Sequence, residues 1–186
     1  TQEHPSAGSL SGIRILDLTR VWAGPLSTRI FADFGAEVIK IVDPRAIVRK
    51  TSVPVVNKLN RNKLNMGLRL DVHAGREIFL ELVSISDVVI ENFRPRVVRN
   101  LRITYDDLRK SNPMLVMCSM PGFGTQGPYS DYPAYGTSAE AMAGIASLIG
   151  YEPSVPVPTG MAYADPISGL NAVGTILAAL RQRNIK

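Results

Sequence analysis

The apolar residues of this chain repeat in two periods that take turns along it. Ile13-Arg-Ile-Leu-Asp-Leu18 alternates as a short strand, Pro25 to Phe34 carries a helical repeat that stops at Gly35, and Glu37-Val-Ile-Lys-Ile-Val42 is a second strand. Strand, helix and strand at this spacing require a parallel pair with a right-handed crossover. A third strand is expected near Gly67 to Leu70. Asp71 is then placed to cap a helix whose Ile78, Phe79, Leu82 and Val83 share one face. Asp87-Val-Val-Ile90 reads as a buried strand and Leu115-Val-Met-Cys-Ser119 as a further strand. Thr104 and Asp107 between them have the spacing of a capping box, which gives their helix a start and the carboxylate a structural role. Helices over Thr137 to Ile149 and Pro166 to Arg181 complete the chain, and there is no internal repeat. The pattern predicts an α/β fold built on a mostly parallel sheet.

Composition supports a packed core: 45% of the 186 residues are hydrophobic, while Gly and Pro, 15 and 13, imply long connections. The single cysteine, Cys118, can close no disulfide within the chain, so a cytoplasmic protein is expected, and inside a β-run it reads as a small packed hydrophobe. Residues 1–9 show no basic segment followed by an apolar run and are expected to be a flexible tail ahead of a domain spanning 10–186. The most apolar stretch, Met161 to Leu180, contains Asp165, Pro166 and Asn171, which argues against a membrane span.

The net charge of +5 is unevenly placed. From Pro44 to Leu70 there is no acidic residue, while Arg45, Arg49, Lys50, Lys58, Arg61, Lys63 and Arg69 all lie there; the stretch from Pro44 to Asn65 is expected to be loop. Arg94, Arg96, Arg99 and Arg102 form a second cluster. Such clusters suit a polyanion, and nucleic acid is the weakest choice because no aromatic residues are interleaved with the charges. The alternative for each is a solvated surface side chain.

Candidate chemistry narrows to carboxylates. Gly122-Phe-Gly124-Thr-Gln-Gly127 spells a dinucleotide fingerprint, but Pro128 and Pro133 bracket the loop where that fingerprint must open a helix. The histidines, His4 and His73, sit in the tail and near a helix start, so no Ser-His-Asp or Cys-His arrangement and no metal-ligand spacing is present. Asp165 stands just before a long helix with Ile167, Leu170, Val173, Gly174, Leu177 and Leu180 on one side. Asp followed by Pro is an ordinary helix cap. An ionised carboxylate at a helix start in a cleft can also be a nucleophile.

Several blocks in one order resemble family III CoA-transferases: Leu10 through Pro25, Gly35-Ala-Glu-Val-Ile-Lys-Ile41, Asn60-Arg-Asn-Lys63, Glu91-Asn-Phe-Arg-Pro95, Gly122 through Pro128 and Ala164-Asp-Pro166. The resemblance is to the formyl-CoA and carnitine-CoA transferase group, which also holds 2-methylacyl-CoA racemases. It implies a Rossmann-like large domain with helices on both faces of the sheet, no tightly bound cofactor, and coenzyme A handled as a substrate.

It also implies a covalent reaction in which an aspartate, at the position of Asp165, takes the acyl group of an acyl-CoA as a mixed anhydride. The released CoA thiolate converts this to an aspartyl-CoA thioester, from which CoA passes to a small carboxylic acid. The matching CoA-lining segments are Val21, Trp22 and Ala23; Leu70, Asp71 and Val72; and Asn92, Phe93 and Arg94, with Arg96 and Tyr135 beside them. On this reading Phe93 packs on the adenine and Arg94 or Arg96 pairs with a CoA phosphate.

Trp22 stands where formyl-CoA transferase has Gln, and Gly136 follows Tyr135 where many members have an acidic residue. The racemase branch has His at the position of Tyr135, which makes racemisation the weaker enzymatic reading. A non-catalytic subunit that binds CoA or pairs with a longer partner is the other alternative. Members usually continue through a second domain of similar length and form interlocked homodimers, so a chain of this length is expected to be the N-terminal portion of that architecture and to associate, either as a homodimer or with the second half.

Overall fold

The computed structural model describes residues 8–46, 54–151 and 155–185. The elements in chain order are β1 (Arg14–Asp17), α1 (Ala23–Asp33), β2 (Glu37–Val42), a 3-10 turn at Pro44–Ala46, α2 (Pro54–Leu59), β3 (Leu64–Gly67), α3 (His73–Ser84), β4 (Val88–Glu91), α4 (Pro95–Leu101), α5 (Tyr105–Leu108), β5 (Val116–Ser119), α6 (Gly136–Met142), a 3-10 turn at Ile145–Ser147 and α7 (Ala164–Ile185). The strands form one sheet in the order β3-β2-β1-β4-β5, and every neighbouring pair is parallel.

The central strands are apolar on both sides because both sides are covered. Leu16, Ile41 and Val89 pack with Phe79 and Val83 of α3, Val98 of α4 and Leu108 of α5. Ile15, Val38, Val88 and Ile90 point the other way, onto Phe31 of α1 and Ala172, Ile176 and Leu180 of α7. The carboxyl end of α7 is tied to the sheet by Arg183, which donates to the Asp87 carboxylate at 2.8 Å just before β4. Asp87 in turn accepts from the Arg14 amide at 2.8 Å.

Where the chain departs from the expected elements, the period is hidden by polar residues. The stretch from Pro44 to Asn65 is not simply loop: it holds α2 and the start of β3, and β3 lies earlier than Gly67 to Leu70. As an edge strand it leaves Leu64, Asn65 and Gly67 exposed, so no buried alternation marks it. Residues 47–53, including Arg49 and Lys50, lie outside the described residues, as do residues 1–7 of the expected tail and His4. Asp71 does not cap α3. Val72 is the extended residue there, and Asp71 instead holds Arg69 at 2.8 Å and Arg45 at 3.2 Å. The Thr104 and Asp107 capping box forms as expected, with the two side chains 2.7 Å apart.

The strand order places the switch point between β1 and β4. From β1 the chain winds outward through β2 and β3, then returns to β4 on the opposite side. In an open parallel sheet, the loops that leave these two strands diverge and leave a crevice at their carboxyl ends.

Candidate functional site

The crevice rests on a fully buried carboxylate. Asp17, the last residue of β1, accepts from the Thr19 amide and hydroxyl at 2.8 and 2.6 Å, from the Thr28 hydroxyl of α1 at 2.7 Å, and from Lys40 and Lys63, each at 3.1 Å. Lys40 also donates to the Thr19 carbonyl, and Lys63 to the Pro25 carbonyl at 3.0 Å and Asn60 at 3.1 Å. Burial alone would raise the Asp17 pKa, but Lys40, Lys63 and the two hydroxyls outweigh it and hold it below the usual carboxylate range. Burial pushes Lys40 down and lowers Lys63 to about 8, against the attraction of Asp17.

Four residues of the basic stretch already have acidic partners within the chain. Lys63 is a core residue, Arg61 pairs with Asp33 at 2.6 Å, and Arg45 and Arg69 share Asp71.

Above this anchor the loops after β1 and β4 are clasped together. The Arg20 amide donates to the Asn92 side-chain oxygen, and the Asn92 side-chain amide returns a bond to the Arg20 carbonyl, both at 2.8 Å. The Arg20 guanidinium lies 5.4 Å from the centre of the Phe93 ring. The next residue, Val21, has φ +69°, a left-handed conformation that costs a β-branched side chain free energy and persists because its neighbours are fixed.

A cleft of about 470 Å³ opens there, walled by Val21, Ala23, Asn92, Phe93, Met120, Tyr135, Gly136 and Asp165. Asp165 enters it from the second position of α7, so it does not cap its own helix. Its Oδ2 instead accepts from the Gly136 amide at the start of α6 at 3.1 Å. Two close approaches make this geometry possible. A Cβ at Gly169 would lie 2.6 Å from the Ala23 carbonyl oxygen, so its absence lets α7 pack hard against the start of α1. A Cβ at Gly136 would lie 2.4 Å from Asp165 Oδ2.

Burial pushes the Asp165 pKa up; hydrogen bonds from the Gly136 and Ala23 amides oppose the shift, and the charge of Glu140 adds to it. Desolvation is the largest effect on this group, so its pKa lies above the ordinary carboxylate value although it stands in the first turn of a helix. Cys118 also borders the cleft, but burial and the nearby Glu91 raise its pKa, so it stays a thiol and is a poor rival nucleophile. Among the described residues no group of three or more His, Cys, Asp or Glu side chains could hold a metal ion. No described helix is long and apolar enough to cross a membrane.

Of the residues singled out by sequence, the cleft brings together Val21, Ala23, Asn92, Phe93, Tyr135 and Asp165. Leu70 and Asp71 line a smaller hollow on the far side of Phe93, with Arg20, Asp43 and Arg45. Val72 is exposed at the start of α3, and Trp22 precedes α1 without forming part of the cleft wall. Arg94 and Arg96 stand at the start of α4, outside the wall; the Arg96 amide donates to Asp131 at 2.9 Å.

Arg20, Gly136 and Glu140 were not singled out as site residues. Arg20 and Gly136 contribute backbone groups, which residue type does not reveal. Glu140 matters through a contact with Thr159, 19 residues away.

The fold is an α/β domain whose parallel sheet opens at its switch point, where folds of this class bind their ligands, and the crevice there holds a half-buried carboxylate that accepts from a backbone amide. The chain belongs to CoA-transferase family III, which it matches over residues 10–185. It is 40% identical over 183 residues to the formyl-CoA:oxalate CoA-transferase of Streptomyces avermitilis, covering 94% of this chain and 44% of that enzyme. It is also 40% identical over 183 residues to the succinyl-CoA:glutarate CoA-transferase of Mus musculus, covering 94% of this chain and 42% of that one. A crystal structure of a CAIB/BAIF family protein from Brucella suis superimposes with a TM-score of 0.88 at 33% identity, over 96% of this chain and 50% of the other. The chain thus spans about half the length of the relatives it matches or less.

Proposed function

We propose that this chain carries the nucleophile and much of the CoA-facing wall of an acyl-CoA:carboxylate CoA-transferase, with Asp165 as the nucleophile. The observation that carries this reading is the Asp165 carboxylate itself, in the switch-point cleft, desolvated and held by an amide of another element. Among the described residues Asp165 has no salt-bridge partner, which keeps its electron pair available, and desolvation strengthens it as a nucleophile.

In the proposed reaction Asp165 attacks the thioester carbon, the carbon–sulfur bond breaks, and CoA leaves as a thiolate. The product is a mixed anhydride between Asp165 and the acyl group. The thiolate then attacks the Asp165 carbonyl carbon, releasing the first acid and leaving an aspartyl-CoA thioester. The acceptor carboxylate attacks that carbon, expels the thiolate and forms a second anhydride. Attack of the thiolate on the acceptor's carbonyl gives the new thioester and returns Asp165 as a carboxylate. In the two steps that make Asp165 tetrahedral, negative charge builds on its own oxygens, and the Gly136 amide beside Oδ2 is positioned to receive it. Val21, Ala23, Asn92 and Phe93 would lie along the CoA arm, and the Leu70 and Asp71 hollow would extend that path beyond Phe93.

The test is exchange of label between an acyl-CoA and its free acid. Exchange is expected to fall by at least ~10³-fold in Asp165→Ala, and intact mass should show CoA attached to the wild-type chain and not to the variant. Equal exchange by both proteins would reject the assignment. Epimerisation of a 2-methylacyl-CoA without an acceptor acid would replace it with the racemase reading, and CoA binding with neither activity with the subunit reading.

A further inference from the structure

We propose that Glu140 is a positioning residue for Asp165: a buried carboxylate that gathers the loop leading into α7 and so sets the nucleophile on the Gly136 amide. The inference rests on Asp165 being the nucleophile.

Glu140 is 1% exposed and lies one helical turn beyond Gly136 on α6. Its hydrogen-bond partner is one loop residue, Thr159, whose hydroxyl donates at 2.9 Å and whose amide donates at 3.3 Å, and the nearby backbone amides of Tyr163 and Ala164 help hold its pKa down. A carboxylate is suited to this because it offers several lone pairs and donates nothing. Burial acts to raise its pKa, and these hydrogen bonds outweigh burial and keep it ionised.

The loop it holds has little reason to keep its shape unaided. Gly160 and Ala162 both adopt left-handed backbone, at φ +78° and +49°, and for Ala162 that conformation is unfavourable. The Asp165 amide donates to the Ala162 carbonyl at 3.0 Å, so the turn that Glu140 fixes is the one that starts α7. One short helix therefore grips the nucleophile twice, directly through the Gly136 amide and indirectly through Glu140. Without Glu140, the hydroxyl and amide of half-buried Thr159 lose their acceptor, and the loop would have to reorganise to find another.

Two measurements on the full chain test this, and only one of them needs catalysis. In ¹⁵N-labelled protein the Gly136 amide resonance should move with pH as Asp165 titrates, and Asp165→Asn should abolish that movement. Glu140→Ala is expected to lose most of the movement and to speed hydrogen exchange at the Thr159 amide by ~10-fold or more. In the exchange assay the same variant should lose ~10²-fold in kcat with KM for the acyl-CoA changed by less than ~3-fold, since the nucleophile is displaced while the CoA wall is intact.

Glu140→Gln keeps one acceptor oxygen and should show the same changes at a smaller size; it decides the matter if Glu140→Ala does not fold. A Gly136 resonance that follows Asp165 unchanged in both variants overturns the proposal. So does a loss seen in KM alone. Absence of transfer by the wild-type chain would count against the proposed function, while the amide titration would still decide the role of Glu140.

Discussion

Asp17 and Asp165 are the same side chain near the same carboxyl end of the sheet, and their surroundings give them opposite work. Asp17 is fully buried among two lysines, two hydroxyls and an amide, and its pKa is held down. Asp165 is half-buried with an amide on Oδ2, and its pKa is pushed up. A carboxylate whose lone pairs are engaged by cations, hydroxyls and an amide is an anchor. One that is desolvated, with no cation opposite it among the described residues, is free to bond to carbon. The two are linked through α1: Asp17 holds Thr28 and, through Lys63, the Pro25 carbonyl, while Ala23 at the start of the same helix borders Asp165.

The largest expected effect is on the anchor. Asp17→Ala leaves Lys40 and Lys63 buried beside each other without their shared counter-ion. Removing one partner of a buried ion pair costs about 3–5 kcal/mol, so a fall of ~10 °C in Tm or failure to fold is expected. A loss below ~1 kcal/mol in urea unfolding would erase the contrast between the two carboxylates.

Lys63→Met sharpens it. The folded pKa of Lys63 is about 8 against 10.5 for a free lysine. Between those values the unfolded chain binds the proton that the folded chain has released, so stability attributable to Lys63 rises with pH across this window. The full difference corresponds to about 3 kcal/mol. Wild-type unfolding free energy should therefore gain on that of Lys63→Met from pH 8 to 10.5. Parallel curves would show that Lys63 is not desolvated by its place beneath β1.

How far this contrast is readable in the sequence depends on the distance between partners. The strands β1, β2, β4 and β5 and the core of α3 are legible because their apolar periods are local and each contributes residues to the core. The elements between Pro44 and Gly67 are not, since β3 is an exposed edge strand among charged residues. Lys63 looks like one more surface cation until a contact 46 residues away places it on Asp17. Asp165 reads locally as a helix cap, and only its resemblance to the family points elsewhere. What makes it otherwise is the space left by Gly169 and Gly136, which brings α1 and α6 up to it, and no periodicity records that space.

The smallest effect bears most directly on that ambiguity. Because burial raises the folded pKa of Asp165 above its ordinary value of 3.8, the unfolded chain gives up this proton first as pH rises. The folded chain then binds more protons across that interval, so stability falls with pH there and the ionised group remains a net cost at neutral pH. Asp165→Asn removes the charge and retains an oxygen to accept from the Gly136 amide. It should raise Tm by about 1–2 °C at pH 7 and have no effect near pH 3, where both states carry the proton. A helix cap behaves in the opposite sense, since losing its charge weakens the helix at neutral pH. If Asp165→Asn lowers Tm at pH 7, Asp165 is an anchor like Asp17. If it raises Tm while transfer is lost, the fold bears a cost in stability for a carboxylate kept ready to react.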